Sequence, residues 1–260
     1  MTKLLRANVR RCSHSAIFWL VLAATCVKPL YIVLNNYYYA KLWHHSYPPD
    51  NALVGSMTGY IFPLALAVFV SVFIGTEHLN KTIRNKLIVG HSRSSLYLSN
   101  LIVSVLAAVM MYVAALAVAV GVGFPLLGSY ETTVKVMVPQ LGYSVLSVAA
   151  LASIYTVIVM LVNNMVAAGL SAVLLGTALA YLPQFLWERV YISVEELRTG
   201  FAYNTYKVLY DILPTCQLYR CTPQAEKLPE NIWIFPIYSL LIVSVTTVIG
   251  VHFFQKKNLN

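Results

Sequence analysis

EHLNKTIRNKLIVGHSRSSLYLSN, residues 77–100, is the strongly polar interruption in the first half of a very apolar chain. These 24 residues hold four basic side chains, Lys81, Arg84, Lys86 and Arg93, and a single acid, Glu77. Long hydrophobic runs flank the stretch on both sides. A polar segment between two such runs is a loop at a membrane surface. Surface loops carry function more often than the elements they join, and one of this length is where a membrane subunit touches a soluble partner.

Composition extends that reading to the whole chain. Of 260 residues, 59% are hydrophobic and only 10% are charged, with a mean hydropathy of +0.70. Soluble domains carry about 25% charged residues, so most of this surface must face lipid. Six apolar runs, at about 16–36, 53–76, 96–121, 136–162, 165–187 and 232–254, meet or approach the length of about 20 residues that a spanning helix needs. The alternation of a membrane barrel is absent, so the spans are read as helices. The expected fold is an all-α integral membrane bundle of six transmembrane helices, forming one domain over 1–260. Its polar loop covers 77–95 and a long outer loop covers 188–231. The gap at Asn163-Asn164 predicts a tight hairpin.

The net charge of +9 is a topology signal, and nucleic acid is not an expected partner. The N-terminus, the 77–95 loop and the C-terminal tail together hold ten basic residues and one acid, against seven basic residues and eight acids on the other side. Excess Lys and Arg mark the cytoplasmic face. The expectation is a multi-pass protein of the plasma membrane with both termini inside. Leu22-Ala23-Ala24-Thr25-Cys26 is similar to a lipoprotein cleavage site, but Thr25 replaces the small residue wanted there and apolar sequence continues to Leu34.

Two further segments read as interfacial. Leu4, Leu5, Val9 and Cys12 share one face of an N-terminal helix, while Lys3, Arg6, Arg10 and Arg11 lie elsewhere. Such a helix rests among headgroups, with membrane lipids as its partner. In the outer loop, Phe201, Thr205, Val208, Leu209 and Ile212 share a face that predicts a short helix ending before Pro214. Tyr37, Tyr38, Tyr39, Trp43, Tyr191, Tyr203, Tyr206, Tyr210 and Tyr219 are typical of the water–lipid boundary. Gly55-x-x-x-Gly59 and the alanines of the third run suit close helix packing.

No catalytic group and no metal site stand out. The stretch from Gly121 to Ser129 lacks the Lys and Ser/Thr of a phosphate loop and reads as a turn. Glu195-Glu196-Leu197-Arg198 resembles the paired glutamates of intramembrane CAAX-type proteases, without their spacing or in-membrane histidines. His44-His45 reads as a solvated pair. Cys216 and Cys221 are compatible with either a disulfide or two free thiols. Lys28 is the unusual residue. A charge at the membrane centre costs about 2.5–3.5 kcal/mol and is a functional candidate by default. With Tyr31 and Asn35 it is read as a polar wall of a substrate pathway; the competing reading is a lysine that snorkels beside the kinking Pro29.

The ordered pattern Glu77-x4-Thr82-Ile83-Arg84-Asn85-Lys86-Leu87-Ile88-Val89-Gly90-x-Ser92-Arg93, then Leu96-Tyr97-x-Ser99-Asn100, resembles the permease subunits of type-2 ATP-binding-cassette (ABC) transporters, a family with many bacterial members. Six spans, an amphipathic N-terminal helix and a long outer loop also match. Leu213-Pro214-Thr215 is similar to small members, although Cys216 stands where a glycine is expected. The resemblance implies a non-enzymatic permease with no cofactor of its own. ATP and Mg would bind a separate ABC ATPase chain, and a second permease copy would complete the pathway. Glu77, Thr82, Ile83, Arg84, Asn85, Lys86, Leu87, Gly90 and Arg93 would form the ATPase-coupling element. Ile83 and Leu87 would fill an apolar groove of the ATPase, Arg84 and Lys86 would meet acids at its rim, and Glu77 would bond Arg84 or Arg93. The substrate class implied is amphipathic, with peptide export as the leading expectation; a sensor or peptide-removal complex is the alternative.

Overall fold

A computed structural model describes residues 1–43, 61–128, 133–162, 164–192, 200–221 and 232–257. Among these the chain forms ten α-helices: α1 (Thr2–Ser13), α2 (Ala16–Trp43), α3 (Ile61–Leu79), α4 (Thr82–Ile88), α5 (Arg93–Leu127), α6 (Val134–Leu161), α7 (Met165–Trp187), α8 (Phe201–Ile212), α9 (Pro214–Arg220) and α10 (Ile234–Lys256). A single π turn, Glu188–Ile192, extends α7. Six of these helices are long and apolar enough to cross a membrane.

Helices α2, α5 and α6 are longer than the apolar runs that announce them. Helix α2 continues through Tyr37, Tyr38 and Tyr39 to Trp43, because nothing there breaks it and aromatic residues satisfy an interface as readily as a core. Helix α5 runs through Pro125 to Leu127, so the glycine-rich stretch read as a turn is mostly the last turns of a helix. Gly128, at φ 96°, supplies the left-handed backbone that ends it. The start of the second span, Gly55-x-x-x-Gly59, His44-His45 and Glu195-Glu196-Leu197-Arg198 lie outside the described residues.

Helices α3 and α6 are the inner pair and α10 is the most peripheral. Helix α3 packs along α7, α6 along α10, and α2 along α5. Tight contacts set these distances. A methyl at Gly176 of α7 would sit 3.0 Å from Ala67 Cβ of α3, and one at Gly250 of α10 would fall 2.1 Å from Tyr97 Oη of α5. Small residues at such crossings let the backbones approach.

The outer segment after α7 folds back onto the bundle. Helix α8 ends at Ile212, before Pro214, and leaves Phe201, Val208 and Leu209 exposed while Tyr210 is buried against Leu186 and Cys216. Helix α9 then enters the space beside α6, α7 and α8, with Gln217 fully buried. Gln217 Oε1 accepts from Ser147 Oγ of α6 (2.9 Å) and Ser239 Oγ of α10 (2.6 Å). Its Nε2 donates to Asp211 O (2.9 Å) and Ile212 O (3.2 Å), so every polar atom of this amide is satisfied. Cys216 and Cys221 are two separate buried thiols, not a disulfide. Positions five apart on a helix point about 140° from each other, which holds the sulfurs in different clusters. Burial raises both thiol pKa values to about 12.

Candidate functional site

One end of the bundle gathers α1, the segment between α3 and α5, the α6–α7 turn and the C-terminus. It also holds most of the basic residues and is called the basic end below. Its centre is Glu77, in the last turn of α3, with a carboxylate that is 0% exposed. A buried carboxylate persists only when it is paired and hydrogen-bonded. Glu77 Oε1 pairs with Arg11 of α1 and with Lys86 of α4. Glu77 Oε2 accepts from Asn100 Nδ2 of α5 at 2.9 Å.

The network closes on itself through Asn8. Its Nδ2 donates to Ser99 Oγ (2.9 Å) and Asn100 Oδ1 (3.1 Å), and its Oδ1 accepts from Lys86 Nζ at 3.0 Å. The Arg11 guanidinium also lies 4.0 Å from the centre of the Phe73 ring. Burial pulls the Arg11 pKa below its usual value, and Glu77 opposes that shift. Four helices thus meet on one carboxylate. Neither side chain expected to hold Glu77 does so: Arg84 is exposed, and Arg93 is bonded to the C-terminus.

The local chain path explains how α4 is presented. Lys81 adopts φ 53°, a left-handed turn that breaks α3 from α4. Thr82 Oγ1 donates to Glu77 O at 3.2 Å and steadies that corner. At the other end, Gly90 N–H reaches Leu87 O (2.9 Å) and His91 N–H reaches Lys86 O (3.1 Å), with Gly90 at φ 98°. This is a Schellman stop, which glycine forms without strain. Ser92 then caps α5 by accepting from Ser95 N–H at 3.2 Å.

Within α4, the residues divide by face. Ile83 is 2% exposed and Leu87 is half-buried against the core, so this pair anchors α4 to its own bundle. That differs from the expected apolar plug, because the turn at Lys81 rolls those positions inward. The apolar side chains turned outward are Ile88 (83% exposed) and Val89 (79% exposed). Arg84, Asn85 and Lys81 surround them and are exposed. Lys86 is spent on Glu77 and Asn8.

The C-terminus is stapled to the same end. Arg93 Nη1 donates to the carbonyls of Phe254 (3.3 Å), Gln255 (3.0 Å) and Lys257, which complements the negative end of α10. Lys257 Nζ donates to Met160 O (2.6 Å) and Val162 O (3.3 Å), capping α6 in the same way. Burial lowers the Lys257 pKa to about 8.

Lys28, Tyr31 and Asn35 are not drawn into the interior of the chain. The buried face of α2 is Phe18, Val21, Thr25, Pro29 and Val33, and Tyr31 is 65% exposed. Lys28 and Asn35 are half-buried, and the three residues follow one another at helical spacings of three and four. No group of His, Cys, Asp and Glu among the described residues could hold a metal. The residues that sequence reasoning missed are Asn8 and Arg11; the signal was an asparagine on the apolar face of α1, between Leu4 and Cys12.

Residues 4–179 match the model of a family described as ABC-2 family transporter protein. No curated protein matches the chain.

Proposed function

This chain belongs to the ABC-2 transporter family, the membrane-spanning permease component of ABC transporters that associates with an ABC ATPase, and from that premise we propose that it works as an exporter driven through α4. In this reading the ATPase binds ATP and Mg, and the permease performs no covalent chemistry. The ATPase grips Ile88 and Val89, ringed by Arg84 and Lys81. A second permease copy completes the pathway, facing α2 at Lys28, Tyr31 and Asn35. The substrate is amphipathic, with peptides as the leading class. The bundle sits in a bacterial plasma membrane with its basic end in the cytoplasm, as the Lys/Arg asymmetry favours.

The observation that carries this reading is the Glu77 clamp. A docking element that merely hung from a loop would absorb a push. Here α4 is bolted by Lys86 and Ile83 to α1, α3 and α5, so displacement at Ile88 moves whole helices. ATP then shifts the bundle between inward-open and outward-open states only through its differential effect on the two.

The test is co-reconstitution with the ABC ATPase that co-purifies with the chain. Ile88→Asp with Val89→Asp should lower permease-stimulated ATP hydrolysis and vesicle transport at least about tenfold, as expected when central interface anchors worth 2 kcal/mol or more are lost. Full coupling in that variant, or no ATPase retained by the wild type, overturns the docking assignment. Stimulated hydrolysis without vectorial movement of an amphipathic peptide overturns the exporter assignment.

A further inference from the structure

Helix α1 has a second face that the Glu77 clamp does not use. Leu4, Asn8 and Cys12 are buried, and Arg11 reaches Glu77. Lys3, Arg6 and Arg10 are exposed on the opposite side, within an arc of about 60° at 100° per residue. With Thr2 and Ala7 they line a groove of about 430 Å³. Among the described residues no carboxylate pairs with any of these three cations.

The depth of the groove is set by the next element. Trp19, on the first turn of α2, donates its Nε1–H to Ser13 O at 2.8 Å while its ring stays 54% exposed. A tryptophan with a bonded N–H and an exposed ring is the signature of the headgroup level. It fixes the corner between α1 and α2 there. Val9, 42% exposed, flanks the basic arc and offers apolar contact to the acyl boundary.

We propose that Lys3, Arg6 and Arg10, with the Thr2 hydroxyl, form a binding site for the phosphate headgroup of an anionic lipid. The chemistry favours lipid over a protein partner. Protein interfaces place apolar or aromatic anchors at their centre and deplete lysine. This groove has cations and a hydroxyl at its centre and apolar residues only at its margin, the order a phosphate above acyl chains requires. The site is separate from α4, so its failure leaves the permease reading intact.

The test uses the full chain, purified and exchanged into nanodiscs of phosphatidylcholine with or without phosphatidylglycerol, and native mass spectrometry to count retained anionic lipid. A Lys3→Gln, Arg6→Gln, Arg10→Gln variant should retain it more weakly, by about fivefold per basic residue removed. A Lys81→Gln, Arg84→Gln, Lys256→Gln variant, which removes the same charge from other exposed positions of the basic end, should retain it like the wild type. Equal loss in both variants would mean general charge attraction and overturn the site. Displacement of the lipid by millimolar inorganic phosphate would reassign the groove to a free anion. Protection of Lys3 from acylation by the ABC ATPase, but not by phosphatidylglycerol, would reassign it to a protein contact. Both results also overturn the proposal.

Discussion

Replacing Glu77 by glutamine deletes the negative charge shared by Arg11 and Lys86 and keeps the shape of the side chain. A contact ion pair of about 3 Å is worth roughly 5.5 kcal/mol at an effective dielectric of 20. Glu77 makes two such pairs, to partners whose side chains are 32% and 20% exposed. Their partial hydration and the desolvation of the carboxylate offset much of the gross attraction. What remains after removing one partner of a buried pair is about 3–5 kcal/mol. The glutamine still accepts from Asn100, so the loss is electrostatic. In nanodiscs, thermal unfolding should fall by roughly 10 °C on the scale of domains of this size. The charge-matched double variant, Glu77→Gln with Arg11→Met, should recover part of the loss, because one of two mutually repelling cations is gone. The reasoning is refuted if the single variant unfolds within about 1 °C of the wild type, or if the two substitutions are simply additive.

Three other outcomes follow from particular contacts. Gly250→Ala should cost about 1–3 kcal/mol by overpacking against the Tyr97 ring, and Tyr97→Leu in the same chain should relieve it; equal stability of Gly250→Ala and wild type by thermal unfolding would contradict the α5–α10 contact. The folded-state pKa of Lys257 lies near 8, below its unfolded value, so the neutral amine is the form the fold prefers. Its contribution to stability should therefore rise as pH increases from about 8 toward 10.5 and be absent in Lys257→Gln, read as the difference between the two pH–stability curves. Maleimide should label Cys12, Cys216 and Cys221 slowly at pH 7.5, since burial raises these thiols to about 11, 12 and 12; after denaturation without reductant, intact mass should show all four cysteines labelled.

The six spans and the stop at Gly90 were legible because they depend on run length and on one residue's backbone freedom. The partners of Glu77 were not. Arg11, which pairs with Glu77, and Asn8, which bonds its partners Lys86 and Asn100, lie 66 and 69 positions away in sequence, and no local period links a carboxylate to a helix so distant. Arg84 and Lys86 carry the same charge two positions apart, so only the roll of α4 decides which one turns inward. The same roll buries Ile83 and exposes Ile88, and it is set by the left-handed turn at Lys81, a residue type that rarely adopts one. Gln217 escaped for a different reason. A polar residue in a tyrosine-rich loop reads as solvated until the loop is seen to fold back between Ser147 and Ser239.

Helix α5 has one more implication. Its 35 residues make a rod of about 52 Å, well beyond the hydrocarbon thickness of about 30 Å. The clamp holds it at Ser99 and Asn100, about two turns from its start at Arg93, and its far tip is Gly128. Measured from the clamp, about 42 Å of that rod leads to Gly128, so a tilt of five degrees sweeps the tip through about 3.7 Å, more than two residues of helical rise. A beam held near its base turns a small tilt at the clamp into a displacement several times larger at its far end.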